Sequence, residues 1–357
     1  MKPSTTFHAL KIAELRRETH DAVSIRFDVP PPLADAFAFK AGQYLTLRAQ
    51  IGDADVRRNY SICSSPDDGA PWIAVKALPG GVFSNHANEV LRAGDMLEVM
   101  PAAGRFTAEF GAGRRFLYAL FAAGSGITPM MSIVKTILRR EPESRIKLFY
   151  GNRRSGGILF LEELAGLKNR YMERLEIYHF LSMEQDDVEI FNGRLDAGKC
   201  REILQRLVAP GEIDQAFVCG PEGMMLAVEA ALLDAGVAPE KILLERFLAA
   251  GPARAETAMA VREAAGRRMG VVLDGRTSSV VFDAALGNIL DSVRAAGMPA
   301  PFACKGGVCA TCRAKLISGA VEMRVNYGLT PEEVAQGYVL TCQATPKGDD
   351  VVVSYDV

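Results

Sequence analysis

The sequence has almost no excess of charge of either sign: 41 lysines and arginines face 43 aspartates and glutamates, a formal net charge of −2. A nucleic-acid partner demands a basic face, so this balance argues against that class. An apolar leader is missing too. Met1-Lys2-Pro3-Ser4-Thr5-Thr6-Phe7 has no hydrophobic stretch of the kind that directs export, and none is expected. One uncharged run, residues 116–134, could cross a bilayer by length alone. Gly124-Ser125-Gly126 and Thr128-Pro129 cut it into a buried strand, a turn and a helix, with Thr128 as N-cap and Pro129 in the first turn. Seven cysteines, an odd number in a long chain without a leader, make no disulfide framework. The expectation is a cytoplasmic protein with reduced thiols and no membrane span. What remains is ordinary globular material, 49% hydrophobic and 24% charged, and its 357 residues exceed one core and predict two or three domains.

Four of the seven cysteines form a pattern. Cys304, Cys309 and Cys312 are spaced C-x4-C-x2-C and Cys342 follows about thirty residues later, the ligand spacing of a plant-type 2Fe-2S cluster. Soft thiolates hold iron. Gly306 and Gly307 suit a loop that curls round a cluster with its N–H groups close to sulfur. Structural zinc is the remaining alternative, but it usually takes two separated C-x2-C pairs rather than three clustered ligands and a distant fourth.

Residues 1 to about 108 show short strands, at 23–29, 44–48, 72–76 and 96–99, punctuated by Gly, Pro and Asp as in an antiparallel barrel. Between them lies Arg58-Asn59-Tyr60-Ser61, which offers a bidentate cation for a phosphate, a flat ring for an aromatic cofactor and a hydroxyl for a ring heteroatom. Alone it is equally a strand with a surface arginine and a packed tyrosine. Gly80-Gly81-Val82-Phe83-Ser84-Asn85 adds backbone donors for a phosphate at a helix N-terminus, although by itself it is a glycine turn.

From about residue 113 strands alternate with helices, the mark of a parallel sheet, with strand candidates at 116–122, 146–150, 175–181, 216–219 and 242–245. The first runs into Gly124-Ser125-Gly126-Ile127-Thr128-Pro129. Pro129 replaces the third glycine of G-x-G-x-x-G, but close approach and free helix N–H groups still suit a pyrophosphate. The second ends at Arg153-Arg154-Ser155, where arginine suits the 2′-phosphate of NADP and an acid would suit NAD, so NADPH is favoured over NADH. Cys219-Gly220-Pro221-Glu222-Gly223-Met224 follows a buried strand. No partner base stands near Cys219 in sequence, so a nucleophilic role is unsupported, and a buried structural cysteine is the plain alternative.

Residues 251–266, rich in small side chains with no apolar stripe, read as a linker that lets the last domain move. Beyond it, Asp274-Gly275 predicts a hairpin, and Asp283 is expected to cap a helix carrying Leu286, Ile289, Leu290 and Val293 that stops at Gly297. Thr330-Pro331-Glu332-Glu333 opens a short helix with a capping box.

Together, R-x-Y-S at residues 58–61, G-x-x-S at 81–84, G-x-G-x-T-P at 124–129, C-G-P at 219–221 and the four cysteines resemble the ferredoxin-NADP reductase superfamily, in its branch with a C-terminal plant-type ferredoxin. The resemblance covers essentially the whole chain and, within that branch, is to the reductase subunits of phenylacetyl-CoA epoxygenase. It implies an antiparallel β-barrel flavin domain at 1–110, an α/β parallel-sheet nicotinamide-nucleotide domain at 111–250, and an α+β β-grasp ferredoxin domain at 267–357. It implies FAD, with Arg58 at its phosphate, Tyr60 on the isoalloxazine and Ser61 near N5, and with Val75, Gly81, Val82, Ser84 and Thr128 around it. NADPH would meet Gly124, Gly126, Thr128, Pro129, Arg153, Arg154, Ser155, Cys219, Gly220, Pro221 and Met224, with Ser61 and Cys219 positioning the hydride transfer. Cys304, Cys309, Cys312 and Cys342 would hold the 2Fe-2S cluster. The implied activity is a reductase that splits a hydride into single electrons and hands them to a di-iron oxygenase, its implied partner. Two competing readings stand beside it: the reductase of an aromatic-ring dioxygenase or other oxygenase, using NADH and in some cases FMN in place of FAD, and a redox sensor or electron carrier that holds flavin and cluster but turns over no nicotinamide.

Overall fold

A computed structural model describes residues 6–247 and 255–356. The chain divides into two compact units, Ser4–Arg246 and Phe247–Val357.

The larger unit begins with six antiparallel strands: β1 His8–Thr19, β2 Ala22–Asp28, β3 Tyr44–Ile51, β4 Ala54–Ser61, β5 Trp72–Lys76 and β6 Met96–Ala103, with helix α1 Val82–Glu89 between the last two. Their order is β4-β3-β6-β1-β2-β5. A bridge from Ile62 to Ile73 joins the two end strands, so the sheet closes into the expected barrel. Alternation does the packing: Val23, Ile25 and Phe27 on β2 and Leu45 and Leu47 on β3 turn inward and are completely buried.

Five parallel strands follow, β7 Leu117–Ala123, β8 Arg145–Asn152, β9 Leu175–Leu181, β10 Gln215–Cys219 and β11 Ile242–Glu245. They alternate with helices α2 Ile127–Arg140, α3 Leu161–Arg170, α4 Ala197–Arg206 and α5 Glu222–Asp234. The order β11-β10-β7-β8-β9 reverses direction between β7 and β10, which places a crevice at their carboxyl ends. Both β7 and β10 are buried on both faces and so read as continuous apolar runs.

Barrel and parallel sheet share a core. Ala22, Ala41, Cys63, Ala74 and Phe106 of the first part cluster with Ile127, Met130, Ile133 and Val134 of α2. Hydrogen bonds cross the same boundary: Ser132 Oγ donates to the Ser64 carbonyl at 2.6 Å, the Ser65 and Thr136 hydroxyls meet at 3.0 Å, and Lys135 Nζ donates to the Cys63 carbonyl at 3.2 Å. At the far end of α2 the fully buried Glu141 carboxylate accepts from Tyr118 Oη at 2.9 Å, Ser144 Oγ at 2.7 Å and the Gly111 N–H at 3.1 Å.

The smaller unit contains α6 Ala255–Glu263, β12 Arg268–Leu273, β13 Arg276–Val281, α7 Ile289–Ala295, β14 Arg313–Ser318, β15 Val321–Met323, α8 Pro331–Ala335, β16 Tyr338–Leu340, β17 Ala344–Pro346 and β18 Val352–Ser354. Its main sheet runs β13-β12-β18-β14-β16, with β12 and β18 parallel and the other pairs antiparallel, the mixed sheet of a β-grasp fold. Ile289, Leu290 and Val293 of α7 fill the core beside Val271, Ala314 and Val353. Among the described residues no helix is long and apolar enough to cross a membrane.

Three expectations need correction. Thr128 does not cap α2: Gly126 does, and the Thr128 hydroxyl donates back to the Ser125 carbonyl at 2.9 Å from inside the first turn. Asp283 caps only the turn before α7, accepting from Ala285 N, whereas Asn288 accepts from Asp291 N and starts the helix, leaving Leu286 outside it. The span read as linker carries α6, with Val261 packed on the smaller unit's core and Ala264 buried within it; residues 251–254 of that span lie outside the described ones.

Replacing Glu141 with Leu would strand the Tyr118 hydroxyl and the Gly111 N–H and leave Ser144 Oγ only the Arg114 carbonyl at 3.3 Å. We expect a loss of about 3 kcal/mol from the larger unit. Urea unfolding followed by the fluorescence of Trp72, the single tryptophan, measures this. An unchanged midpoint would show that these bonds contribute nothing net.

Candidate cofactor and electron-transfer sites

Arg58, Tyr60 and Ser61 end strand β4. Alternation sends Arg58 and Tyr60 to one face and Ser61 to the other. Arg58 is exposed and Ser61 buried. The Tyr60 ring lies 5.5 Å from that of Phe83 on α1, and burial pushes its phenol pKa up, so it stays a neutral flat surface at physiological pH. Val75 is fully buried on β5. Gly81 caps α1 without a side-chain hydrogen bond, and a Cβ there would stand 2.3 Å from Ser84 Oγ. That hydroxyl accepts from Leu78 N at 3.2 Å and donates to the Gly81 carbonyl at 3.4 Å, so Ser84 braces the turn. The helix start keeps its N–H groups free of side-chain caps, with Val82 exposed beside them, which fits a phosphate-bearing flavin.

The crevice between β7 and β10 gathers the next set. Gly124 adopts φ +54°, and a Cβ on Gly126 would fall 2.1 Å from the Cys219 carbonyl oxygen. A Cβ on Gly220 would meet Met224 Sδ at 3.0 Å and Ala123 N at 3.2 Å. Residues 124–129 and 219–221 therefore press together where α2 and α5 begin, with Thr128 and Met224 buried beneath and Pro221 exposed. Tyr150 Oη donates to the Gly124 carbonyl at 3.1 Å and accepts from Leu159 N at 3.3 Å, tying β8 to that turn. Asn152 Nδ2 at the end of β8 and His179 Nδ1 within β9, opposite Tyr150, are buried with no hydrogen-bond partner. Close-approach glycines, open helix starts and two orphaned polar atoms along one sheet edge fit a nicotinamide nucleotide.

Arg153, Arg154 and Ser155 project from the end of β8 and are exposed. Glu184 stands against them: its carboxylate accepts from Ser155 N at 2.9 Å. That bond is the leading cause that holds its pKa below the usual carboxylate value.

Burial raises the Cys219 thiol pKa well above its ordinary value, with Glu245 as a second cause, so the residue stays a neutral thiol. Sequence reasoning missed Glu245. It pairs with Cys219 in the β10–β11 register, is 9% exposed, and burial pushes its carboxyl pKa up to about 8. Strand assignment alone gives no register, so nothing in the sequence placed this acid beside that thiol.

In the smaller unit the four cysteines fall into two neighbouring pairs, Cys304 with Cys309 and Cys312 with Cys342. Among the described residues no three His, Cys, Asp or Glu side chains converge on one ion. A mononuclear zinc site needs four ligands on one ion; two pairs suit two irons that share bridging sulfides. Gly306 N lies 3.3 Å and Cys309 N 3.4 Å from Cys304 Sγ. The Cys309 thiol, then these N–H groups, hold the Cys304 pKa below its ordinary value, the direction a thiolate ligand needs. Lys305 and Ala310 adopt positive φ to turn the backbone inward, and a Cβ on Gly328 would meet the Val308 carbonyl oxygen at 2.7 Å. The donor set fits a 2Fe-2S cluster.

Glu245 supplies a pH test. Its proton leaves near 4.5 in the unfolded chain and near 8 in the folded one, so the folded state loses stability as pH rises between them. Glu245→Gln stays neutral throughout. Its thermal midpoint should exceed that of the parent by more at about pH 8.5 than at about pH 5 in scanning calorimetry, and equal shifts would refute the buried acid.

Three family models match in chain order: "Oxidoreductase FAD-binding domain" at residues 9–108, "Oxidoreductase NAD-binding domain" at 120–230 and "2Fe-2S iron-sulfur cluster binding domain" at 271–347. The chain is 45% identical over 352 residues to a component of the 1,2-phenylacetyl-CoA epoxidase of Escherichia coli, covering 99% of this chain and 98% of that one. It is 35% identical over 353 residues to the ferredoxin reductase component of 3-ketosteroid-9-alpha-monooxygenase from Rhodococcus rhodochrous, covering 97% and 96%. Among solved structures, phthalate dioxygenase reductase aligns with a TM-score of 0.62 at 22% identity, covering 98% of each chain. With these sites in one polypeptide and such likeness over nearly full length, the chain belongs to the family of oxygenase reductases that join an FAD domain, an NAD domain and a 2Fe-2S domain.

Proposed function

We propose that the chain is the cytoplasmic reductase component of a phenylacetyl-CoA epoxidase and feeds electrons from NADPH to a di-iron oxygenase partner. The observation that carries this reading is the 45% identity to an epoxidase component over nearly the full length of both chains, with all three cofactor-binding domains matched. FAD and the cluster, when bound, supply the chemistry no side chain has: acceptance of a hydride and release of its electrons one at a time.

The residues supply position. Tyr60 and the start of α1 offer a flat surface and a phosphate end for the flavin, while Gly126 and Gly220 allow the nucleotide to lie against backbone. The neutral Cys219 thiol at the strand end packs without adding charge, so it orients rather than attacks. Ser61 is buried two residues from Cys63, whose side chain shares an apolar cluster with Cys219.

Arg153 and Arg154 support NADPH, because a guanidinium matches a 2′-phosphate bidentately. Glu184 opposes them through its hold on Ser155, so the preference rests on the arginines. Arg154→Ala should lower kcat/KM for NADPH about tenfold and leave NADH nearly unchanged. Equal losses with both nucleotides would remove the 2′-phosphate role. The reductase reading itself is tested by anaerobic rapid mixing: NADPH must bleach the flavin absorbance. Cys309→Ser should abolish the cluster absorbance yet leave that bleaching intact; loss of both would contradict separate sites. Affinity capture that returns oxygenase subunits other than those of an epoxidase would redirect the partner assignment.

A further inference from the structure

Directly after the fourth cysteine stands Gln343, only 3% exposed. Its carboxamide oxygen accepts from Arg324 Nε at 3.1 Å and Nη2 at 2.9 Å. Its nitrogen donates to the Lys305 carbonyl at 2.9 Å and lies 3.5 Å from Cys342 Sγ. The orientation of a glutamine amide is normally ambiguous. Here it is not, because a guanidinium can only donate, so the atom facing Arg324 must be the oxygen and the N–H groups must face Lys305 and Cys342.

The backbone holds both residues in place. Arg324 follows β15 and Gln343 precedes β17; those strands pair with Met323 opposite Ala344, and Arg324 N donates to the Gln343 carbonyl at 2.9 Å. The cysteine loop rests on the same side chain: a Cβ on Gly307 would stand 3.0 Å from Gln343 Cγ and 3.2 Å from the Val325 carbonyl oxygen. One amide thus touches the loop of the first three ligands, the sulfur of the fourth and a cation behind it.

We infer that Gln343 is a positioning residue for the cluster, oriented by Arg324, whose N–H groups donate to the Cys342 sulfur and clamp the 304–309 loop. Reduction adds negative charge to the cluster, and a donor aimed at a ligand sulfur stabilises the reduced state more than the oxidised one. Arg324 polarises that donor through the amide. The pair raises the reduction potential and so favours electron arrival from the flavin. This rests on the 2Fe-2S reading of the four cysteines.

The test uses the purified holoprotein and an EPR-monitored redox titration. Gln343→Leu should keep iron and sulfide content and NADPH-driven flavin reduction, and should lower the midpoint by on the order of tenfold in the one-electron equilibrium, ~59 mV. A full cluster with an unmoved midpoint overturns the inference. Absence of any cluster from the parent protein would instead overturn the cofactor reading beneath it. If Gln343→Leu sheds its cluster, the exposed Arg324 decides: Arg324→Met should lower the midpoint by a smaller amount, and no change there overturns the proposal. Arg324→Lys keeps the charge but loses the planar fork. A parent-like midpoint in Arg324→Lys beside a lowered one in Arg324→Met would assign the effect to net charge and overturn the orienting role.

Discussion

The carbonyl oxygen of Cys219 lies 2.1 Å from where a side chain on residue 126 would begin. Only glycine allows that approach, and much of the larger unit depends on it. The contact brings the carboxyl end of β10 against the turn that leaves β7, so two helices start side by side where the strand order reverses. Their unclaimed N–H groups become an anion-binding surface, and Cys219 is carried into the apolar cluster that includes Cys63 and Ala74 of the barrel. Bulk at position 126 would separate β10 from α2 and open the crevice from below.

The barrel must be held against α2 for this crevice to face the flavin half. Apolar burial provides the bulk of the attraction, but it is non-directional. Direction comes from the Ser64–Ser132, Ser65–Thr136 and Cys63–Lys135 hydrogen bonds, two of them wholly buried. A sliding barrel would have to break them without water to take their place. Ion pairs of Arg139 with Asp68 and of Arg140 with Asp67 at the solvent edge add little energy but fix the same alignment.

How far the sequence revealed all this depended on the range of the interaction. The cysteine spacing, the Asp274-Gly275 hairpin and the capping box at Thr330 are local chemistry, and each was readable within a few residues. Alternating and continuous apolar patterns disclosed the barrel and the parallel sheet. Where two local signals competed, the reading failed: Asp283 and Asn288 both cap well, and only the burial of Ile289 and Leu290 against the exposure of Leu286 shows where α7 begins. Helix α6 was missed because Val261, with Ala264 just beyond it, makes too short an apolar pattern to read. Glu245 and Gln343 were out of reach for a further reason. Each matters through a neighbour supplied by strand register or by a residue many positions away, and sequence pattern carries no register.

The two cysteine pairs differ in what they require of the chain. Cys304 and Cys309 lie five residues apart in a short loop that Gln343 and Gly328 hold from the far side. Cys312 and Cys342 meet only after β14 has paired with β16, because Thr341 N and Oγ1 both reach the Cys312 carbonyl, at 3.3 and 2.9 Å, at the end of that ladder. One half of the ligand set is therefore close in sequence, and the other is brought together by the sheet. A chain with β16 out of register would carry Cys342 away from Cys312 and leave the ligand set incomplete.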